Sequence, residues 1–404
     1  MKPSFLRRGR AAASVLRTRS RSSVAPGLLR TPSFLRRIRS AASVLRTRSR
    51  SSVAPGLLRT PLVVLIVVLV VAGCSSDAKK AKAKAAVAKS TTTTTKPPPV
   101  APLTGLPDPT GVAQTRPLVS IKIDNDSNLA RPQTGIDQAD IVWDEVVEGQ
   151  GTRFLAMFQS QAPEVVGPVR SVRLTDPLIV WPFGGVFAYS GGAKYAVDGI
   201  SLAPVKRIDE SAAGAAMFRD SSRKPPHNLY ARPPQLFGMG GEPVPPPPAF
   251  DYVDAKTKQT VVAATSVRIG FSAEFAPTYT WDGASGSWLR STRDGPFMTK
   301  SGAQIAPKNV VVLSVVYGGA GLGEIGAEAQ LVGSGPLKVF TAGGVVDGTW
   351  KHTDKTARFE LVDVNGAPIR LTPGSTWVEL PDTSYPIDVV SPPPPTDSPS
   401  TTKP

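Results

Sequence analysis

Regular alternation of apolar and polar positions begins at residue 119. Val119, Ile121 and Ile123 alternate with Ser120 and Lys122, and the run stops at Asp124-Asn125. A period of two over that length predicts a half-buried strand. Residues 140–147 (DIVWDEVV) and 152–158 (TRFLAMF) are further strand-like runs, and Glu148-Gly149-Gln150-Gly151 between them predicts a hairpin turn. Residues 186–190 (VFAYS), set between Gly184-Gly185 and Gly191-Gly192, read as a short buried strand. The alanine-rich stretch 209–219 reads as a helix capped by Asp209. Further on, residues 278–291 predict two strands around a glycine-containing turn, and 309–317, 336–342 and 357–371 continue the pattern, the last turning at Asn365-Gly366. Such closely spaced turns favour a twisted sheet or small barrel.

The expected fold class is α+β: a mixed N-terminal domain over 103–242, a stiff proline-rich linker over 243–250 containing Pro243 to Pro248, and a smaller β-rich domain over 251–386. A Pro/Ser/Thr-rich tail, 387–404, is expected to be unstructured.

Ahead of the periodic part the pattern is different. Residues 3–31 recur almost unchanged at 32–60 as a tandem repeat of 29 residues, rich in Arg and Ser. A solenoid needs three or more units sharing an apolar face, so two such copies read as a duplication or a start site placed too far upstream. Pro61 is followed by the apolar run 62–73 (LVVLIVVLVVAG), too short to span a bilayer but the right length for a secretory signal core. Residues 1–73 are therefore expected to be a signal region. Its end, Val71-Ala72-Gly73-Cys74, resembles a bacterial lipobox, in which Cys74 would receive a diacylglyceryl group and become the mature N-terminus. Two acyl chains hold a protein stably where one is marginal. The alternative is an ordinary signal peptide or short anchor that happens to contain a cysteine. Residues 74–102 (Lys/Ala, then Thr, then Pro) read as a disordered tether.

This reading relocates the charge. The formal net charge is +16, but residues 1–60 hold 15 Lys and Arg with no acid, and 103–386 hold 25 basic against 28 acidic residues. The basicity belongs to leader and tether, which removes the main support for nucleic-acid binding by the folded part. Cys74 is the sole cysteine, so its lipidation leaves no thiol for a disulfide, nucleophile or metal.

Candidate chemistry lies mainly in the first half. Arg131, Arg153, Arg170 and Arg173 accompany Asp124, Glu145, Glu148 and Asp176. Arg170 and Arg173 would share one face if their segment turned helically, and paired guanidinium forks suit carboxylate or phosphate. The alternative is that these arginines pair internally with the nearby carboxylates. His227, in Pro225-Pro226-His227-Asn228-Leu229-Tyr230, is a candidate acid/base, with Tyr230, Ser171 or Ser190 as possible partners. A histidine bonding backbone in a proline-rich turn is the simpler reading, and no G-x-S-x-G elbow surrounds any serine. His352 falls in a stretch read as a loop. Asp124-Asn125-Asp126-Ser127-Asn128 mimics the start of a calcium loop, but Leu129 and Gly135 stand where glycine and glutamate are required. No metal or cofactor is expected: two histidines and a lipidated cysteine argue against zinc, and P-loop and dinucleotide fingerprints are missing.

Residues 102–107 (PLTGLP), 116–158, 166–176 (VGPVRSVRLTD) and 225–230 (PPHNLY) resemble the N-terminal domain of the YerB-like lipoprotein family, and 349–380 is similar to that family's C-terminal domain. Gln150 departs from an expected glycine in the turn. The resemblance implies an exported two-domain lipoprotein of unknown function and no established reaction. Two functional readings follow. The preferred one is a non-enzymatic protein, lipid-anchored on the extracytoplasmic face of the bacterial membrane, that binds an anionic wall component or an envelope protein through its arginine-bearing first half. The other is a cell-envelope hydrolase or transferase using His227 with a carboxylate.

Overall fold

The computed structural model describes residues 98–125, 128–254, 256–318 and 327–393. The expected leader, the lipobox with Cys74, most of the tether, Asp126 and Ser127 of the calcium-like run, and the end of the tail lie outside the described residues. The first half contributes β1 (Val119–Asp124), β2 (Ile141–Val146), β3 (Thr152–Phe158), α1 (Asp176–Val180), β4 (Val186–Tyr189), α2 (Lys194–Ser201), β5 (Lys206–Asp209), β6 (Met217–Arg219), β7 (Leu229–Ala231) and α3 (Pro233–Met239). Then come β8 (Val262–Ala263), β9 (Ser266–Ile269), β10 (Thr278–Asp282), β11 (Ser287–Thr292), β12 (Gly295–Pro296), β13 (Asn309–Leu313) and β14 (Tyr317–Gly318). The chain finishes with β15 (Glu328–Ala329), β16 (Gly333–Thr341), β17 (Gly344–His352), β18 (Glu360–Asp363), β19 (Thr376–Leu380) and β20 (Ile387–Val390).

One mixed sheet of 11 strands runs β18-β17-β16-β13-β19-β2-β3-β1-β4-β5, with β8 paired to β17. The halves expected on either side of the proline run meet inside it. β19 pairs in parallel with β2, placing Thr376 opposite Ile141 and Leu380 opposite Glu145. A second, antiparallel sheet of five strands, β12-β11-β10-β9-β20, packs on one face. There Ile123, Phe154, Val310 and Trp377 of the large sheet meet Val267, Tyr279 and Trp288 of the small one. The opposite face carries Trp143, Leu155, Val311 and Val378, covered by Ile179 and Val180 of α1 and Ala196 and Ile200 of α2. Strands covered on both faces need apolar residues at successive positions, which is why 309–313 reads NVVVL. The fold is α+β.

Four expectations change. β1 is buried along its whole length, because helices cover the face that carries Ser120, Lys122 and Asp124. No helix spans 209–219: the Asp209 carboxylate accepts from Ser211 Oγ and the Ala212 amide, Gly214 is left-handed at φ 53°, and Met217 enters β6 against β7. Ile387–Val390, assigned to the tail, forms an edge strand against β9. Ala101, assigned to the tether, is buried where Val100 bridges Pro107. Among the described residues no helix is long and apolar enough to cross a membrane.

Candidate functional site

Side chains two apart on a strand share a face, and cross-strand partners extend that face sideways. Arg153 on β3 lies opposite Asp124 on β1 and opposite Glu145 on β2, so the three form one charged row. Lys122 stands one pleat back from Asp124. Its ammonium donates to Asp176 Oδ1 at 2.8 Å and to Glu145 Oε1. Asp176 opens α1, and its other oxygen accepts the Arg173 amide at 2.6 Å. The Arg173 guanidinium in turn lies 2.7 Å from Glu148, at the tip of the β2–β3 hairpin. Asp124 is the second hub. Its Oδ2 is 2.6 Å from His227 Nδ1 and 3.1 Å from Arg170 Nε, while Oδ1 is 3.6 Å from Arg153.

The hubs are sealed and the rim is not. Lys122, Asp124, Glu145 and Asp176 are inaccessible, whereas the side chains of Arg170 and Arg173 are each 17% exposed and Glu148 is 27% exposed. Burial, and then the Asp176 charge, push the Glu145 carboxyl up to about 7, against the opposing pull of Lys122. Glu145 therefore holds its proton to a higher pH than an exposed glutamate does.

Seven of the eight candidate arginines and acids thus fall in two neighbouring sets, one around Lys122 and one around Asp124, and His227 joins the second. Arg131 stands apart, donating from Nε and Nη2 to Asn125 Oδ1 at 3.3 and 3.1 Å. Arg170 and Arg173 do not share a helical face. Their segment is extended: the Val169 amide donates to Leu229 O and the Arg170 amide to Lys122 O, so the chain is stretched between β7 and β1. The two guanidiniums consequently reach different acids. Tyr230 accepts from Arg223 Nη1 at 2.7 Å and stacks on Phe218, while Ser171 Oγ and Ser190 Oγ sit 3.5 Å apart. His352 is no loop residue. It ends β17, buried, with its ring nitrogens 2.6 and 3.0 Å from the carbonyls of Leu331 and Ala357. In the hairpin turn Gly149 has φ 78°; among the described residues Ala342 alone is a non-glycine with positive φ, so Gln150 needs no glycine-like backbone.

Sequence reasoning passed over Lys122 and a second buried cluster. On the opposite face of β2, Asp144 receives Arg290 Nη2 at 2.8 Å. Arg290 Nε donates to Tyr279 Oη at 3.0 Å, and that hydroxyl donates to Glu379. The guanidinium lies 4.6 Å from the Phe297 ring centroid and 4.9 Å from that of Trp377. Burial and the charge of Glu379 hold the Asp144 carboxyl well above its usual range. The available signal was Asp144-Glu145 within an apolar strand. Consecutive strand residues point to opposite faces, so two adjacent buried acids require two separate partners.

Residues 103–240 match the N-terminal domain, and 267–378 the C-terminal domain, of a protein family of unknown function, DUF3048. The chain is 31% identical over 298 residues to "Putative lipoprotein YerB" of Bacillus subtilis (strain 168), covering 69% of this chain and 85% of that protein. Its fold is similar to the crystal structure of YerB protein from Bacillus subtilis, with a TM-score of 0.63 and 27% identity over 72% of this chain and 99% of that one. The chain belongs to the DUF3048 family and carries both of its domains.

Proposed function

We propose that this protein is anchored through Cys74 to the extracytoplasmic face of the membrane and binds an anionic wall component or an envelope protein at the rim formed by Arg170, Arg173 and Glu148. The observation that carries this reading is the layering of the cluster. Two partly exposed guanidiniums lie over acids sealed beneath them, with Glu145 raised to about 7. Guanidinium forks pair readily with carboxylate and phosphate, and those held in place by internal bonds lose less freedom on binding. The relative named as a lipoprotein supports the anchor. Pull-down of the purified chain on wall polymer tests the rim: Arg170→Gln with Arg173→Gln should abolish retention while circular dichroism stays unchanged. Metabolic labelling with a lipid precursor tests the anchor, and Cys74→Ala should lose label and be released to the medium.

One observation favours a second reading, that of a cell-envelope hydrolase or transferase. The buried Asp124 carboxylate 2.6 Å from His227 Nδ1 orients the ring as an acid/base pair would. Turnover of wall fragments that disappears in His227→Gln but survives the Arg170/Arg173 pair would favour it over simple binding.

A further inference from the structure

A second feature of the halves' meeting points to a ligand. Between the β2–β3 hairpin tip and the loops of the small sheet lies a cleft of about 340 Å³, within the size range of small-molecule sites. Arg131 is on its wall. One edge of this guanidinium is fixed by Asn125, and its carbon lies 5.0 Å from the Phe297 ring centroid. Among the described residues Arg131 makes no ion pair, and no hydrogen bond involves its Nη1. The backbone around it is held as well: Arg223 donates to the carbonyls of Leu129, Arg131 and Pro132. Burial and the neighbouring positive charge of Arg290 disfavour the charged form of Arg131. Asp144 and Asp294 act on it only at a distance, so the site is a pre-positioned, half-buried cation with no ion pair among the described residues. The opposite wall belongs to the small sheet, where Glu274 pairs with Arg293 at 2.9 Å and Asp294 stands at the rim. Arg293 pairs with Asp294 as well, at 3.8 Å, so this wall carries little net charge and offers acceptors to hydroxyl or ammonium groups beside a single carboxylate.

We propose that this cleft binds a small polar ligand through one carboxylate, which pairs with Arg131 while its hydroxyl or ammonium groups face Glu274 and Asp294. Such a carboxylate comes from a short peptide or from a sugar acid. The site is separate from the Arg170–Arg173 rim, so either can fail alone.

The test titrates the detergent-purified full chain with acetyl-diglycine and its amide, and with galacturonate and methyl galactoside, following heat and thermal shift. At least one acid should bind, with its neutral counterpart weaker by at least about tenfold, and the acid that binds identifies the source. Arg131→Gln should reduce the acid to the level of the neutral compound, whereas Arg170→Gln with Arg173→Gln should leave this binding unchanged. The acid-against-neutral contrast is read on the unaltered chain, so it stands even if a variant fails to fold. Equal affinity for acid and neutral compound, no binding by either acid, or undiminished binding by folded Arg131→Gln would overturn the proposal.

Discussion

The two charged clusters sit back to back on the same strand, and burial divides their roles. On one face of β2, Asp144 is enclosed with Arg290, Tyr279 and Glu379, all inaccessible and ringed by aromatic side chains. On the other, Glu145 is equally buried, but its network climbs through Lys122, Asp176 and Arg173 to the partly exposed Glu148. The enclosed cluster can act only on the fold, by fastening the small sheet to the large one through Arg290 of β11. The stepped one reaches solvent and can meet a partner. Buried charge by itself does not mark a site; a route from buried to exposed charge does.

The largest expected effect is at the enclosed cluster. Arg290→Ala leaves Asp144 and Glu379 without their cation and should cost about 3–5 kcal/mol in urea unfolding. A loss under ~1 kcal/mol would mean that Arg290 does not fasten the two sheets. Next comes pH. The Glu145 carboxyl, raised from 4.5 to about 7, binds more protons folded than unfolded between those values. The stability it contributes is therefore full below pH ~4.5 and is lost as pH rises through about 7. The loss should be a few kcal/mol at most. Glu145→Gln should flatten that slope and be relatively more stable at pH 8 than at pH 5; an unchanged slope would place the titration elsewhere. Tyr279→Phe, which removes a buried donor from Glu379, should cost about 1–3 kcal/mol without altering wall binding. At the rim, Arg173→Gln should change stability by no more than ~1 kcal/mol, because its pair with Glu148 is partly open to water.

The central strands and the β2–β3 hairpin were legible because their periodicity and turn residues are local signals. The internal pairing weighed for the arginines was legible too: seven of the eight candidates are ion-paired, in one set around Lys122 and another around Asp124. Long-range facts were not legible. Ser120 and Lys122 read as solvent-facing because nothing local says that α1 and α2 cover that side. The helix expected at 209–219 rested on alanine content, which a left-handed Gly214 and the pairing of β6 with β7 override. Arg290 lies 146 residues from Asp144, so only the assembled sheets could reveal that pair.

On the proposed function, the stepped rim, and not the enclosed cluster, meets the partner. Retention on wall polymer at matched fold content tests it most directly, comparing the unaltered chain, Arg170→Gln with Arg173→Gln, and Tyr279→Phe. The arginine pair should lose retention and Tyr279→Phe should keep it. Retention undiminished in the folded arginine pair, or lost in folded Tyr279→Phe, would contradict it.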